Sequence, residues 1–102
     1  MLAALLSFML VSLASTNQSF YKTFLGYSLV NEYESFHPLQ GETGCLLHCL
    51  RDPRCQSFNY GSEHNECELN ELRKESETAL FIRRPSFTYY EPLRHANDVS
   101  AV

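Results

Sequence analysis

The chain has 102 residues, of which 12 are acidic, 8 are lysine or arginine and 44% are hydrophobic, and its formal net charge is −4. A chain without a basic excess has no stripe of cations to neutralise phosphates, so nucleic acid is not an expected partner. The length suffices for one small domain with a thin core, and such domains usually need covalent or metal support.

Residues 1–14, MLAALLSFMLVSLA, form an uncharged apolar run. The run is shorter than the roughly 20 residues of a transmembrane helix, but it fits the core of a secretory signal peptide. Small side chains at Ser12 and Ala14 place the expected cleavage site after Ala14. The sequence therefore predicts a secreted domain over residues 15–93, with an N-glycosylation sequon that begins at Asn17.

Two segments with different composition follow the signal peptide. Residues 20–31 are aromatic and β-branched around Gly26, which predicts one or two opening strands. Residues 33–41 contain Pro38 and Gly41, and they predict a loop that leads into a helix.

The segment TGCLLHCLRD predicts a short helix, with Thr43 as its N-cap and Pro53 ending it. Cys45 and Cys49 lie four positions apart, so they share one face of that helix. Both thiols should then point toward whatever the helix packs on.

Two short segments after the helix alternate between polar and apolar residues, which is the period of a β-strand. Residues 56–60, QSFNY, place Phe58 on one face, and residues 66–70, ECELN, place Cys67 on one face with the glutamates in water. Residues 61–65 are rich in turn formers and should join the two strands as a hairpin.

The four cysteines are separated by gaps of three, five and eleven residues. Zinc sites usually use gaps of two to four residues within each ligand pair, which the second pair does not match. In an oxidising compartment an even number of close cysteines favours disulfides. Of the three possible pairings the nested one fits best, because Cys49–Cys55 closes the loop between helix and hairpin and Cys45–Cys67 ties the helix start to the second strand.

The remaining segments are short. Residues 72–78 are charged and predict a solvated connector, whereas residues 79–83 and 87–90 predict two further strands. Residues 94–102 carry no periodicity and predict a flexible C-terminal tail.

The pattern C-x3-C-x5-C-x-S-F-N-Y, followed by C-x-L, resembles the PAN/apple module over about residues 20–93. Residues 84–91, RPSFTYYE, also resemble the last strand of such modules in secreted proteins of cnidarian type. The resemblance implies an α+β fold, in which a small antiparallel sheet of about five strands cradles one short α-helix. Its helix-to-sheet disulfides agree with the nested pairing. Many members have a third disulfide, for which this chain has no cysteines, so it is similar to the four-cysteine type.

The resemblance implies a binding module for proteins or carbohydrates, not an enzyme. The sequence has no phosphate-binding loop and no nucleophile elbow, and we expect no catalytic residue, metal or cofactor. One alternative is a structural matrix component that acts by self-association. Another is a fragment of a longer multidomain adhesion protein.

Two features suggest where a ligand would bind. Scattered basic residues, with Arg73 and Lys74 among them, could form a patch for glycosaminoglycans, although intervening glutamates favour an ordinary mixed-charge surface. Tyr89 and Tyr90 are neighbours on a strand, so one of them should point outward and could anchor a partner. The residues predicted for the ligand surface are Arg51, Arg54, Arg83, Arg84 and Tyr90.

Overall fold

The computed structural model describes residues 21–93. The predicted signal peptide at residues 1–14, the glycosylation acceptor Asn17 and the predicted tail at residues 94–102 lie outside the described residues. These three assignments stay predictions.

The described residues form one antiparallel five-stranded sheet with one α-helix packed on it. In chain order the elements are β1 (Tyr21–Leu29), β2 (Glu32–Phe36), α1 (Gly41–Arg51), β3 (Ser57–Gly61), β4 (Glu66–Asn70), a 3-10 turn (Thr78–Leu80) and β5 (Phe81–Pro92). The strands follow the order β1-β5-β3-β4-β2 across the sheet. The predicted α+β fold with about five strands is confirmed.

The sheet is strongly curled, because its two edge strands are neighbours in sequence. Four strand spacings of about 4.8 Å would separate the edges of a flat sheet by roughly 19 Å. The link from Leu29 of β1 to Glu32 of β2 spans at most roughly 11 Å. β1 bends at Gly26, which has a φ of 81° and which lies opposite the four positions 84–87 of β5 that have no partner in β1. A positive φ of this kind favours glycine.

The start of α1 differs from the prediction. The helix begins at Gly41 after Gln40 as N-cap, so the assignment of Thr43 as N-cap is wrong. The Gln40 carbonyl accepts a hydrogen bond from the Gly44 N–H at 3.2 Å. The incoming chain packs on Gly44 so closely that an added Cβ would lie 3.1 Å from the Cβ of Pro38. The N-cap therefore lies three residues before the predicted one, and Thr43 is inside the first turn.

The loop predicted over residues 33–41 is wrong, because it contains most of β2. The register of β2 against β4 shifts between Glu32 and Glu34. As a result Tyr33 and Phe36, three positions apart, both pack against the core beneath the helix. The bulge removes the period of two by which a strand is recognised in a sequence.

The two short strands predicted over residues 79–83 and 87–90 belong to one long strand, β5. Pro85 lies inside this strand. It lies among the positions 84–87 that have no partner in β1, so its missing N–H costs no hydrogen bond of that ladder.

Both disulfides lie in the core between α1 and the sheet, where all four cysteines are buried. The predicted nested pairing is confirmed, with Cα–Cα distances of 5.5 Å for Cys45–Cys67 and 5.1 Å for Cys49–Cys55. No thiol is left to bind zinc. The other buried members of this core are Phe58, Leu69 and Tyr90.

The opposite face of β3 and β4 is also buried, and it is polar. Asn59 is 0% and Glu68 is 3% exposed, so the prediction that the glutamates of β4 lie in water is wrong for Glu68. The Asn59 amide binds both the N–H and the carbonyl of Leu29 at 2.9 Å, and it donates to Glu68 at 3.0 Å. The curled end of β1 covers this face, which explains why an alternating pattern does not mark a solvated surface here.

We expect Gly61→Ala to destabilise the domain by about 1–3 kcal/mol, the usual cost of overpacking a filled site. An added Cβ at Gly61 would lie 2.6 Å from the ring of Phe87. The Arg84 guanidinium lies 3.5 Å from the centre of that ring, so a shift of the ring away from the added Cβ would also disturb this contact. Chemical denaturation of both proteins measures the difference in the free energy of unfolding.

The control is Phe87→Leu, made alone and together with Gly61→Ala. A smaller side chain at Phe87 relieves the clash, so Gly61→Ala should cost less in the Phe87→Leu background than in the wild type. Equal costs in the two backgrounds would contradict the steric explanation.

Candidate ligand-binding surface

The residues predicted for the ligand surface do not form one patch. Arg51 ends α1 and Arg54 follows it in the turn before β3. Arg83 and Arg84 lie on β5, and Arg84 forms an ion pair on the sheet face opposite the helix, with Glu68 at 3.0 Å. A single glycosaminoglycan patch made of all these arginines is therefore not assembled.

Arg54 is held by its own neighbours. Its Nε donates to Glu71 at 3.2 Å, and its guanidinium lies 4.1 Å from the centre of the Tyr33 ring. The Tyr33 hydroxyl donates to Asp52 at 2.7 Å. The hydrogen bond to Glu71 raises the pKa of Arg54, and burial together with the Asp52 carboxylate raises the pKa of Tyr33. A ligand anion at Arg54 would have to compete with Glu71.

Arg84 supports the fold, whereas Arg83 is exposed. The Arg84 guanidinium binds the buried carboxylate of Glu68 and covers the ring of Phe87. Its side chain is about one third exposed. Arg83 pairs with Tyr27 in the β1–β5 ladder and forms no ion pair within 4 Å among residues 21–93.

Tyr89 and Tyr90 are both buried, so the prediction that one of them points outward is wrong. Tyr90 stacks on Phe58 beneath the helix, with ring centres 4.7 Å apart. The Tyr89 hydroxyl, on the opposite face, donates to Glu91 at 3.0 Å and accepts from the Lys74 N–H at 2.9 Å. Both faces of β5 are covered at this point, by α1 on one side and by the connector before the 3-10 turn on the other.

A groove of about 270 Å³ runs along the outer side of α1. One wall is residues 38–40, and the other is a helix face with Gly44, Leu47, His48 and Arg51. We call this the helix groove. Of the predicted ligand residues it contains only Arg51. The spacing of three and four along α1 places its helix residues on one face, but nothing in the sequence indicates that residues 38–40 fold back against them.

A larger, open depression of about 480 Å³ lies beside positions 85–88 of β5. Its lining includes the exposed side chain of Leu25 as well as Glu63 and Pro85. Over residues 21–93 no cluster of three or more histidine, cysteine or acidic side chains is arranged to hold a metal ion. Within the same range no helix is both long and apolar enough to cross a membrane.

Comparison with known proteins agrees with this architecture. No curated protein matches the sequence significantly. The model of the PAN domain family matches residues 20–94, which include every element of the sheet, the helix and both disulfides. PAN domains are protein- and carbohydrate-binding modules, and with disulfides they are typical of extracellular proteins. The chain belongs to the PAN domain family.

Proposed function

We propose that this chain is a secreted recognition module that binds an extracellular protein or glycan and does not transform it. The observation that carries the proposal is the pair of buried disulfides joining α1 to the sheet. Such cross-links persist in oxidising compartments and stiffen small domains. A stiff surface binds with little loss of conformational entropy.

The proposal includes export through residues 1–14, cleavage after Ala14 and glycosylation at Asn17. The test is expression of the full chain in eukaryotic cells, followed by intact mass measurement and peptide mapping without reduction. We expect a protein that begins at Ser15 and has four hydrogens fewer than the reduced chain. A loss of mass from the peptide that contains Asn17, after treatment with a peptide N-glycosidase, would show that this residue carries a glycan.

Binding is tested with the same secreted protein on arrays of extracellular proteins and glycans. A specific, saturable ligand on either array supports a recognition module. A retained N-terminus or free thiols would contradict secretion and the cross-linked state. Sedimentation equilibrium separates the alternative of a matrix component, which would associate with itself as concentration rises and would bind neither array.

A further inference from the structure

The helix groove is formed by a close contact between α1 and the chain that enters it. Residues 38–40 lie against Gly44, where an added Cβ would be 3.1 Å from the Cβ of Pro38 and would push these residues outward by a few tenths of an ångström. A larger side chain at Gly44 would fill the space between the two walls. Glycine at this position therefore lets residues 38–40 approach the helix without a side chain filling the groove between them.

The charge of the helix groove is opposite to that of the chain. The net charge of the protein is −4, yet no carboxylate lines the groove, whereas the guanidinium of Arg51 does. Arg54, Arg73 and Arg84 each bind a glutamate. Arg51 has no ion pair within 4 Å among residues 21–93. Its guanidinium is thus free to bind a carboxylate with two parallel hydrogen bonds.

The apolar part of the groove is aliphatic. Leu39 is fully exposed on one wall, and Leu47 faces it from the helix with a half-buried side chain. No phenylalanine, tyrosine or tryptophan ring lines the groove, although sugars are usually held by stacking on such rings. The volume of about 270 Å³ is below the roughly 300–1,000 Å³ of small-molecule pockets. It suits one or two side chains of a peptide.

We propose that the helix groove binds a segment of a partner protein in which an acidic residue lies next to a large apolar residue. The carboxylate pairs with Arg51, and the apolar side chain packs between Leu39 and Leu47. The proposal rests on the proposed function and names the class of partner and the surface that recognises it.

The test begins with a phage-displayed random heptapeptide library, selected on the secreted wild-type protein. We expect the enriched peptides to share Asp or Glu beside Leu, Ile, Met or Phe. Binding of these peptides is then measured by fluorescence polarisation for Arg51→Gln and Leu39→Ser. Each variant should weaken binding roughly tenfold or more, the effect of one charged hydrogen bond or one buried aliphatic side chain. The affinity should also fall as salt is added.

Arg83→Gln is the matched control, because it removes another unpaired arginine outside the groove, and its affinity should equal that of the wild type. Arg51 and Leu39 are exposed, so the unfolding midpoint of their variants should not change. Selection of peptides without an acid, or peptides that bind Arg51→Gln as well as the wild type, would overturn the proposal. So would the absence of any enriched peptide.

Other occupants give different results. A glycan or protein ligand that binds the Arg51→Gln and Leu39→Ser variants with the same affinity as the wild type would overturn the groove assignment. It would leave the recognition function intact. A dimer that dissociates in Leu39→Ser would place a second copy in the groove and would also overturn the peptide assignment. Failure of both arrays together with failure of the peptide selection would contradict the recognition function itself.

Discussion

Replacing Cys45 and Cys67 together by alanine should lower the free energy of unfolding by about 3.4 kcal/mol, measured by guanidinium denaturation without reductant. The disulfide closes a loop with a sequence separation of 22, and the figure follows from the entropy that such a loop removes from the unfolded chain. Domains of this size have total stabilities of only about 5–15 kcal/mol. Removing this one cross-link should therefore leave a domain that unfolds at low denaturant concentration.

The matched control is the pair Cys49→Ala and Cys55→Ala. That disulfide spans only six positions, so its loss should cost less, about 2.3 kcal/mol by the same relation. All four cysteines are fully buried, so the alanine variants leave similar small cavities and the difference reports loop length. A larger loss from the shorter loop would contradict this explanation.

The second large effect concerns the ion pair between Arg84 and Glu68. We expect Arg84→Met to destabilise the domain by about 2–3 kcal/mol. Breaking a fully buried ion pair usually costs about 3–5 kcal/mol, and the cost here should be lower because the arginine is about one third exposed. The variant leaves the Glu68 carboxylate, which is 3% exposed, with the Asn59 amide as its remaining side-chain donor. Thermal and chemical unfolding at neutral pH measure the loss.

A double-mutant cycle separates the buried charge from other effects of the substitution. Glu68→Gln keeps an acceptor for Asn59 but removes the charge, so the double variant with Arg84→Met should lose about 1 kcal/mol or less. Arg83→Met, one residue away and exposed, should change stability by no more than about 0.5 kcal/mol. A cost at Arg84 no greater than the cost at Arg83 would show that the buried pair contributes little.

The sequence was sufficient for the helix, the hairpin and the disulfides, because their signals are local. The helix signal covers about ten residues, and the alternation in β3 and β4 is regular. Cys45–Cys67 then follows, because a helix packed on that hairpin brings these two positions together. β2 was missed because its bulge places Tyr33 and Phe36 on the same side, which a search for a period of two cannot detect.

Burial on the second face could not be predicted, because it depends on the curl of β1 over the sheet. The alternation of Asn59 and Glu68 was recognised, but a sequence pattern shows which residues share a face and not what covers that face. Tyr90 and Arg84 were placed on a ligand surface for the same reason. The helix groove was missed except for Arg51, since its two walls meet only when residues 38–40 pack on Gly44.

The strand order also sets an order of assembly during synthesis. Residues 41–70 contain α1, the hairpin and both cross-links, so these elements can pack on one another before β5 joins β3. β1 is made earlier, but its partner is β5, and Tyr21 pairs with Pro92. Closing so long a stretch of chain is slow. We therefore expect β1, the first strand to be synthesised, to be the last to join the sheet, because it must wait until β5 has been exported.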